Sequence, residues 1–269
     1  MKPYPLFVIA LLLSLVVLRN SFAGVAILNG LTHIHSGTSG STVTGTIKMQ
    51  NSGKKEVRML IFQKDMPFAC DKPADFTSLN SHDRSLGKWV KTNVEERTLQ
   101  PNEEYEVTYN IVIPADVQDK GTYWGIIMVE AADPLREETP QGVKIDSKTR
   151  YAIQIIMDLG TPVAGVLSFE KVDLAKKMVD SSKKFSYTIA LKIKNSGIFY
   201  AKTKVNMEVF NSTGDKVKVI EGIPRRIYPN RCYDFEIEVI DLPKGKYDAV
   251  IVADNGKELF GSNISLEIE

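Results

Sequence analysis

Cysteine and histidine are scarce in this chain. Its 269 residues include 2 cysteines and 3 histidines. Structural zinc sites normally use four nitrogen, sulfur or oxygen ligands, and small disulfide-stapled domains are dense in cysteine. We therefore expect no metal and no cofactor, and we expect hydrophobic cores to stabilise the fold. Cys70 and Cys232 lie in different halves, where they are candidates for a single disulfide.

The chain also lacks an excess of charge of either sign. It has 34 basic and 33 acidic side chains, a formal net charge of +1. Nucleic-acid-binding domains usually carry a clear basic excess, so we expect no nucleic acid as a partner. After residue 23, no apolar run approaches the roughly 20 residues that a membrane helix needs. We therefore expect no transmembrane helix in the mature chain.

The longest apolar run, residues 6–18, stands near the N-terminus. It follows Lys2, is shorter than a membrane span, and leads to the small-x-small sequence Ser21-Phe22-Ala23. This order is typical of a secretory signal peptide. We expect residues 1–23 to be that peptide, cleaved after Ala23. The mature protein would then be periplasmic, secreted or held at the cell surface.

Sequence motifs of catalysis are missing. There is no Gly-x-Ser-x-Gly elbow, phosphate-binding glycine loop or His-Glu-x-x-His pair. His33 and His35 would share one face of a strand, but His82 lies elsewhere in the sequence. The residues before Cys70 are mainly apolar, and they supply no cation to activate a thiolate. We predict a protein that is not an enzyme and has no catalytic residues.

What the sequence does contain is a divergent internal repeat. An alternating segment closes on Asn51-Ser52-Gly53 in the first half and on Asn195-Ser196-Gly197 in the second. Alternation predicts β-strands with one buried face, and Asn-Ser-Gly is typical of a turn. Three further landmarks recur in the same order, namely a Pro-Asn turn at residues 101–102 and 229–230, an alternating strand after it, and Lys-Gly-x-Tyr at residues 120–123 and 244–247.

Short alternating strands with frequent turn signals are typical of immunoglobulin-like sandwiches. We predict an all-β fold of two tandem immunoglobulin-like β-sandwiches, over residues 24–160 and 163–269. Residues 65–89 form an insertion in the first sandwich, which we interpret as a surface loop with at most one short strand. Tyr123 and Tyr247 occupy positions typical of a tyrosine corner, and plain core packing is the alternative for both.

Part of the first half resembles a known domain. Residues 87–89, the turn around Pro101, the strand ending at Pro114 and the glycine-containing strand at 121–127 follow one another as in the immunoglobulin-like, peptidoglycan-binding domain of WxL-interacting cell-wall proteins. Residues 150–153 are similar to its closing strand. The resemblance covers most of residues 40–157, and it implies a cell-envelope binding protein whose partner is a cell-wall polymer or a surface protein.

A looser resemblance is to periplasmic pilus chaperones of the PapD type, which have two such domains behind a signal peptide. That resemblance implies basic residues in the cleft between the domains that hold the C-terminal carboxylate of a client. Residues 24–47 contain no lysine or arginine, so half of that anchor is missing. Residues 211–217 and 242–247 also resemble a C-terminal sorting domain of Bacteroidetes secretion, a third alternative.

Candidate binding residues follow from residue type alone. Trp89 and Trp124 could form an aromatic contact patch of the kind that interfaces favour, with core packing as the alternative. Arg225 and Arg226 stand beside the Pro229 turn and could bind an acidic partner, or they could belong to a solvated loop. Our leading hypothesis is a non-enzymatic envelope binding protein, and the first alternative is a pilus-type assembly chaperone.

Overall fold

The computed structural model describes residues 24–70, 72–132, 135–138, 144–179 and 184–268. The described residues form strands and turns without a helix, in two consecutive β-sandwiches, so the predicted fold class is confirmed. Accordingly, none of them belongs to a helix that could cross a membrane. The predicted signal peptide, residues 1–23, lies outside the described residues.

The first sandwich packs a four-stranded sheet, in the order β1-β3-β7-β5, against a five-stranded sheet, in the order β2-β11-β8-β4-β6. A hairpin of β9 and β10 extends between β8 and β11. The strands are β1 Val25–Ile27, β2 Thr32–Gly37, β3 Thr42–Asn51, β4 Val57–Lys64, β5 Val90–Thr92, β6 Glu96–Leu99, β7 Glu104–Val112, β8 Gly121–Ala131, β9 Leu135–Glu138, β10 Lys144–Ser147 and β11 Arg150–Leu159.

The second sandwich packs a three-stranded sheet, in the order β12-β13-β17, against a sheet in the order β15-β14-β18-β19, in which β16 also pairs with β14. A linker of residues 160–166 precedes it. The strands are β12 Leu167–Val179, β13 Lys184–Asn195, β14 Ala201–Phe210, β15 Lys216–Glu221, β16 Arg225–Ile227, β17 Arg231–Val239, β18 Gly245–Asp254 and β19 Leu259–Ile268. The domain boundary at residues 160–162 itself stays a prediction.

Burial along the strands follows their sequence patterns. In β14 every second residue is buried, as expected for a strand with one face on a core. Strand β8 is buried at every position from Gly121 to Ala131, because its outer face is covered as well. Two separate cores result, one inside each sandwich.

The repeated asparagine performs the same task in both sandwiches. Asn51 is fully buried, its Nδ2 donates to the carbonyl oxygens of Lys55 at 2.8 Å and Leu99 at 3.1 Å, and its Oδ1 accepts from Gly53 N at 2.9 Å. The side chain thus satisfies three backbone groups, two in its own turn and one at the end of β6. Without it, the buried carbonyl group of Leu99 and the partly buried groups of the turn would lose this partner.

The second copy repeats these bonds atom for atom. Asn195 Nδ2 donates to the carbonyl oxygens of Phe199 at 2.8 Å and Ile227 at 3.0 Å. Its Oδ1 accepts from Gly197 N at 2.9 Å, and the residue is fully buried. The sequence repeat therefore reproduces the same three side-chain hydrogen bonds in each sandwich.

The Pro-Asn turns connect to the same device. Asn102 and Asn230 adopt positive φ angles of 63° and 56°, which asparagine tolerates better than most residues. Their backbone N–H groups donate to the carbonyl oxygens of Asn51 and Asn195, each at 2.8 Å. In each sandwich, the Pro-Asn turn is therefore hydrogen-bonded to the asparagine of the Asn-Ser-Gly turn.

Both predicted tyrosine corners are present. The Tyr123 hydroxyl donates to the carbonyl oxygen of Asp119 at 3.0 Å, and the Tyr247 hydroxyl donates to that of Pro243 at 2.9 Å. Each bond reaches four residues back along the sequence, as in immunoglobulin-like domains. Both rings also pack on a core, Tyr123 as part of the first and Tyr247 against the second, so the two interpretations hold together.

The described residues of the insertion form no named strand, and residues 72–84 are exposed or half-buried, but parts of the segment are enclosed. Asp65, Leu86 and Trp89 are buried, and single β-bridges join Asp65 to Thr77 and Ser85 to Trp124. The Asp65 carboxylate organises this segment, because it accepts hydrogen bonds from Ser81 N at 2.9 Å and Ser85 Oγ at 2.9 Å. The insertion therefore packs on β8 and lies against the second sandwich.

Candidate partner-binding site

The two sandwiches meet through buried polar contacts around Thr122. Its N–H donates to Ile198 O at 2.8 Å, its hydroxyl donates to Asp158 Oδ1 at 2.5 Å, and Tyr200 N donates to Thr122 Oγ1 at 2.9 Å. Burial raises the pKa of Asp158, and the Thr122 hydrogen bond opposes that shift. A Cβ on Gly121, whose φ is +126°, would lie 2.2 Å from Ile198 O, so this close approach requires glycine.

Aromatic rings fill the space beside these polar contacts. Trp124 and Tyr228 pack with ring centroids 4.5 Å apart, and Phe68 stacks on Tyr228 at 4.9 Å. His82 stacks on Trp124 at 4.3 Å, and Ile156 belongs to the same buried cluster. This cluster joins the insertion, β8 and β11 to the Pro-Asn turn of the second sandwich.

A disulfide joins Cys70 of the insertion to Cys232 of β17, across 162 residues of sequence. Polar bonds flank it, since Lys192 Nζ donates to Cys70 O at 2.6 Å and Arg231 pairs with Asp83 at 2.8 Å. The structure thus brings the two cysteines together at the junction between the halves. No free cysteine remains.

The two tryptophans do not form the aromatic contact patch that the sequence suggested. Trp124 is 1% exposed and Trp89 is 9% exposed, so neither ring is available to a partner. Trp124 lies on β8, whose outer face is covered by the insertion and the second sandwich. Trp89 packs in the first core, with its ring centroid 4.6 Å from that of Tyr123. Both tryptophans are therefore packed inside the protein, as the alternative interpretation expected.

The two candidate arginines separate onto opposite faces of β16. Arg225 is exposed and lines a groove in the second sandwich. Arg226 is half-buried and turns towards the junction, where its Cζ lies 5.9 Å from the centroid of the Tyr200 ring. Within the described part of the protein, no carboxylate pairs with Arg226, and its buried Nε has no hydrogen-bond partner.

Arg226 belongs to a polar group of side chains from both sandwiches. Tyr228 Oη lies 3.4 Å from Gln154 Oε1 on β11. Burial raises the pKa of Tyr228, while the positive charge of Arg226 opposes that shift and the nearby Asp158 carboxylate adds to it. The Arg226 guanidinium, which forms no ion pair with a described carboxylate, therefore lies near Tyr228, where β11 meets the second sandwich.

A free sheet edge runs past this point. Strand β2 pairs only with β11, in parallel, from Thr32 opposite Gln154 to Gly37 opposite Leu159. Its other side has no strand partner among the described residues. Residues 150–153 of β11 precede the stretch of β11 that pairs with β2. Two aliphatic side chains at this edge, Leu31 just before β2 and Ile34 on it, are nearly half exposed.

The histidines of β2 have a structural role. His33 Nδ1 and His35 Nε2 each lie 2.8 Å from the hydroxyl oxygen of Tyr109, a fully buried residue. Burial, and to a lesser degree His33, lower the pKa of His35. These rings fix β2 over the first core and leave its backbone edge and Ile34 facing outwards. No three metal-ligating side chains converge among the described residues.

His82 makes the stability of the junction depend on pH. Its side chain is 1% exposed, and burial lowers its pKa from 6.5 to about 4, with the Asp65 carboxylate opposing that shift and Arg231 adding to it. The unfolded protein therefore binds a proton near pH 6.5, whereas the folded protein does so only near pH 4. The stabilisation is complete above pH 6.5 and is lost as the pH falls towards 4.

We expect the wild type to lose about 2–3 kcal/mol of unfolding free energy through His82 between pH 7 and pH 4.5. His82→Phe keeps a ring against Trp124 but cannot titrate, so its loss over this interval should be smaller by that amount. Urea unfolding of both proteins at both pH values measures the difference. Identical pH dependence of the two proteins would contradict the assignment.

No known protein family matches the sequence, and no curated protein matches it. Solved structures with a similar arrangement of strands include three that contain chaperones. The class 5 fimbriae chaperone CfaA is 13% identical, with a TM-score of 0.46, over 91% of this chain and 99% of that one. The chaperone–tip adhesin subunit complex CsuC–CsuE of Acinetobacter baumannii gives 12% identity and a TM-score of 0.48, over 90% of this protein and 98% of that one.

The CupB2 chaperone of Pseudomonas aeruginosa is 9% identical, with a TM-score of 0.41, over 91% of this chain and 100% of that one. Similarity at this level assigns no function to the present protein. The resemblance to WxL-interacting proteins has no counterpart among these structures. The function must therefore be argued from the residues of the protein itself.

Proposed function

We propose that this chain is an exported, non-enzymatic protein that holds an extended segment of an envelope or surface protein, as a periplasmic assembly chaperone does. The observation that carries the proposal is the free edge of β2 and β11, bordered by exposed aliphatic side chains and located at the junction that contains Arg226. Export and a periplasmic location belong to the same proposal.

The edge is suited to a strand of another protein. An unpaired strand presents backbone N–H and C=O groups that an extended segment can bind by β-augmentation. Leu31 and Ile34 offer apolar surface beside those groups. Backbone hydrogen bonds would supply affinity for segments of many sequences. The exposed aliphatic side chains would favour segments that carry apolar side chains.

Arg226 supplies the charge that such a site needs at its end. The PapD-type resemblance implies a basic residue on the first strand, but the outward positions of β2 are Thr32, Ile34 and Ser36. The guanidinium at this junction comes instead from the second sandwich. Because no described carboxylate neutralises it, a carboxylate of a partner, such as the one at a polypeptide's C-terminus, would be a favourable ligand.

The alternative of a cell-wall polymer has less support. Sugar rings are commonly bound on exposed aromatic faces, and both tryptophans are buried. Every strongly exposed large apolar side chain in the described ranges is aliphatic. The sorting-domain alternative rests on residues 211–217 and 242–247, and the second stretch repeats the tyrosine corner of the first sandwich.

Peptide binding tests the anchor. We expect fluorescein-labelled nonapeptides of alternating valine and serine to bind the mature protein at least about tenfold more tightly as free acids than as C-terminal amides, because a charged hydrogen bond contributes about 1.5–3 kcal/mol. Arg226→Gln should remove the preference for the free acid, and Arg225→Gln is the matched control that should keep it. Anisotropy titrations that show no preference in the wild type would refute the anchor.

Partner-level experiments separate the alternatives. Where a pilin-like or surface protein is encoded beside the gene, its co-expression should yield a one-to-one complex on size exclusion. Ile34→Asp should weaken that complex, because a charge on the edge disfavours an apolar strand. Retention of the mature protein on purified peptidoglycan, together with failure to stabilise any such subunit, would favour the polymer hypothesis over ours.

A further inference from the structure

The second sandwich contains a groove that the proposed function does not use. It is open to solvent, has a volume of 490 Å³, and runs between the edge of β17 and the segment from the end of β15 to the start of β16. This volume lies within the range of about 300–1,000 Å³ that is common for ligand sites. Core side chains, including Val205, Phe235 and Ile237, form its floor.

One wall of the groove is a free strand edge. Strand β17 pairs with β13 along its whole length, from Arg231 to Val239, and no strand pairs with its other side in the described ranges. The groove lies on that free side. Ile223, at 68% exposure, and Ile240 stand at its rim and leave apolar surface unprotected.

The outward face of β17 is acidic. Phe235, Ile237 and Val239 point into the core and are buried. Asp234, Glu236 and Glu238 alternate with them and are exposed. Asp234 lies 4.0 Å from Lys192, whereas no described basic side chain pairs with Glu236 or Glu238. An added strand would therefore meet an apolar floor on one face and a row of carboxylates on the other.

This charge pattern determines which occupant fits. Cross-strand pairs of opposite charge stabilise a sheet, and like charges directly opposite each other destabilise it. A twofold pairing of β17 with β17 of a second copy would place acidic rows in the same sheet, which disfavours that dimer. A segment that alternates basic and apolar residues satisfies both faces at once.

We infer that the β17 edge is a second docking site, for an extended segment of a partner protein in which lysine or arginine alternates with aliphatic side chains. The aliphatic side chains enter the groove between Ile223 and Phe235, and the basic ones lie against Glu236 and Glu238. The segment adds a fourth strand to the β12-β13-β17 sheet. This site is independent of Arg226 and of the β2 edge.

A labelled peptide of alternating lysine and valine, nine residues long with blocked ends, is the probe. We expect saturable binding to the mature protein, at least tenfold weaker for Glu236→Lys/Glu238→Lys and unchanged for Glu104→Lys/Glu106→Lys, which makes the same charge change on the first sandwich. Arg226→Gln should also leave it unchanged, which separates this site from the proposed function. Thermal unfolding checks that each variant is folded.

Backbone methylation distinguishes strand addition from simple charge attraction. N-methylation removes amide N–H donors, and methylation of alternate amides blocks only one hydrogen-bonding edge of the extended peptide. Two such peptides, one for each edge, are compared. We expect one methylated peptide to lose binding and the other to keep it, because only one edge faces β17. Equal binding of both, no effect of the Glu236/Glu238 reversal, or dimerisation of the protein through this edge would overturn the inference.

Discussion

Replacing Asn51 by leucine should lower the free energy of unfolding of the first sandwich by about 3 kcal/mol or more. Leucine has nearly the same shape but makes none of the three hydrogen bonds of Asn51, and each buried backbone group left unpaired costs about 1–3 kcal/mol. Both tryptophans lie in this sandwich, so their fluorescence during urea unfolding reports its stability.

Asn29→Ala is the matched control. Asn29 also bonds the backbone twice, from Lys48 N at 2.9 Å and to Thr46 O at 2.8 Å, but at an exposed site. Water can replace those bonds, so a loss below about 1 kcal/mol is expected. Asn195→Leu should reproduce the Asn51→Leu loss in the second sandwich, followed by circular dichroism. Equal effects of Asn51→Leu and Asn29→Ala would show that burial of the asparagine is irrelevant.

Removing the disulfide should have an effect of similar size. The bond closes a sequence separation of 162 residues, and disulfides across such long loops contribute about 2–5 kcal/mol. In Cys70→Ser/Cys232→Ser, each half keeps its own core, so we expect the two sandwiches to unfold in separate transitions. Calorimetry of the oxidised wild type should instead show closer coupling between them.

Reductant provides the control for this experiment. It should lower the wild-type transition and leave the double serine variant unchanged. Iodoacetamide should label no cysteine in the native, unreduced protein and two after reduction and unfolding. Labelling of both thiols without reductant would show that the two cysteines are not joined.

Much of the fold could be predicted because its signals are local. Alternation in β14 and the Asn-Ser-Gly turns depend on neighbouring residues only, and so does the position of Tyr247 after Gly245. These local signals do not show which distant residue each side chain will bond to. The turn chemistry of Asn51 was visible in the sequence, but its bond to Leu99 O depends on a strand from another part of the protein.

The binding residues were harder to predict for the same reason. A tryptophan in a strand is equally compatible with an interface and with a core, and the covering of Trp124 depends on the insertion and on Tyr228. The absence of alternation in β8 was the available signal, since strands covered on both faces lack it. The polar composition of the insertion likewise gave no sign of its buried side chains, which include Asp65, Leu86 and Trp89.

The position of the disulfide also orders events in time. Export N-terminus first is part of the proposed function, and it would bring Cys70 out of the channel long before Cys232; the first sandwich contains no other cysteine. Its core can therefore form while that thiol is still reduced. The disulfide between Cys70 and Cys232 can form only after the second sandwich has brought Cys232 to the insertion. Formation of this bond would therefore report that both halves have folded.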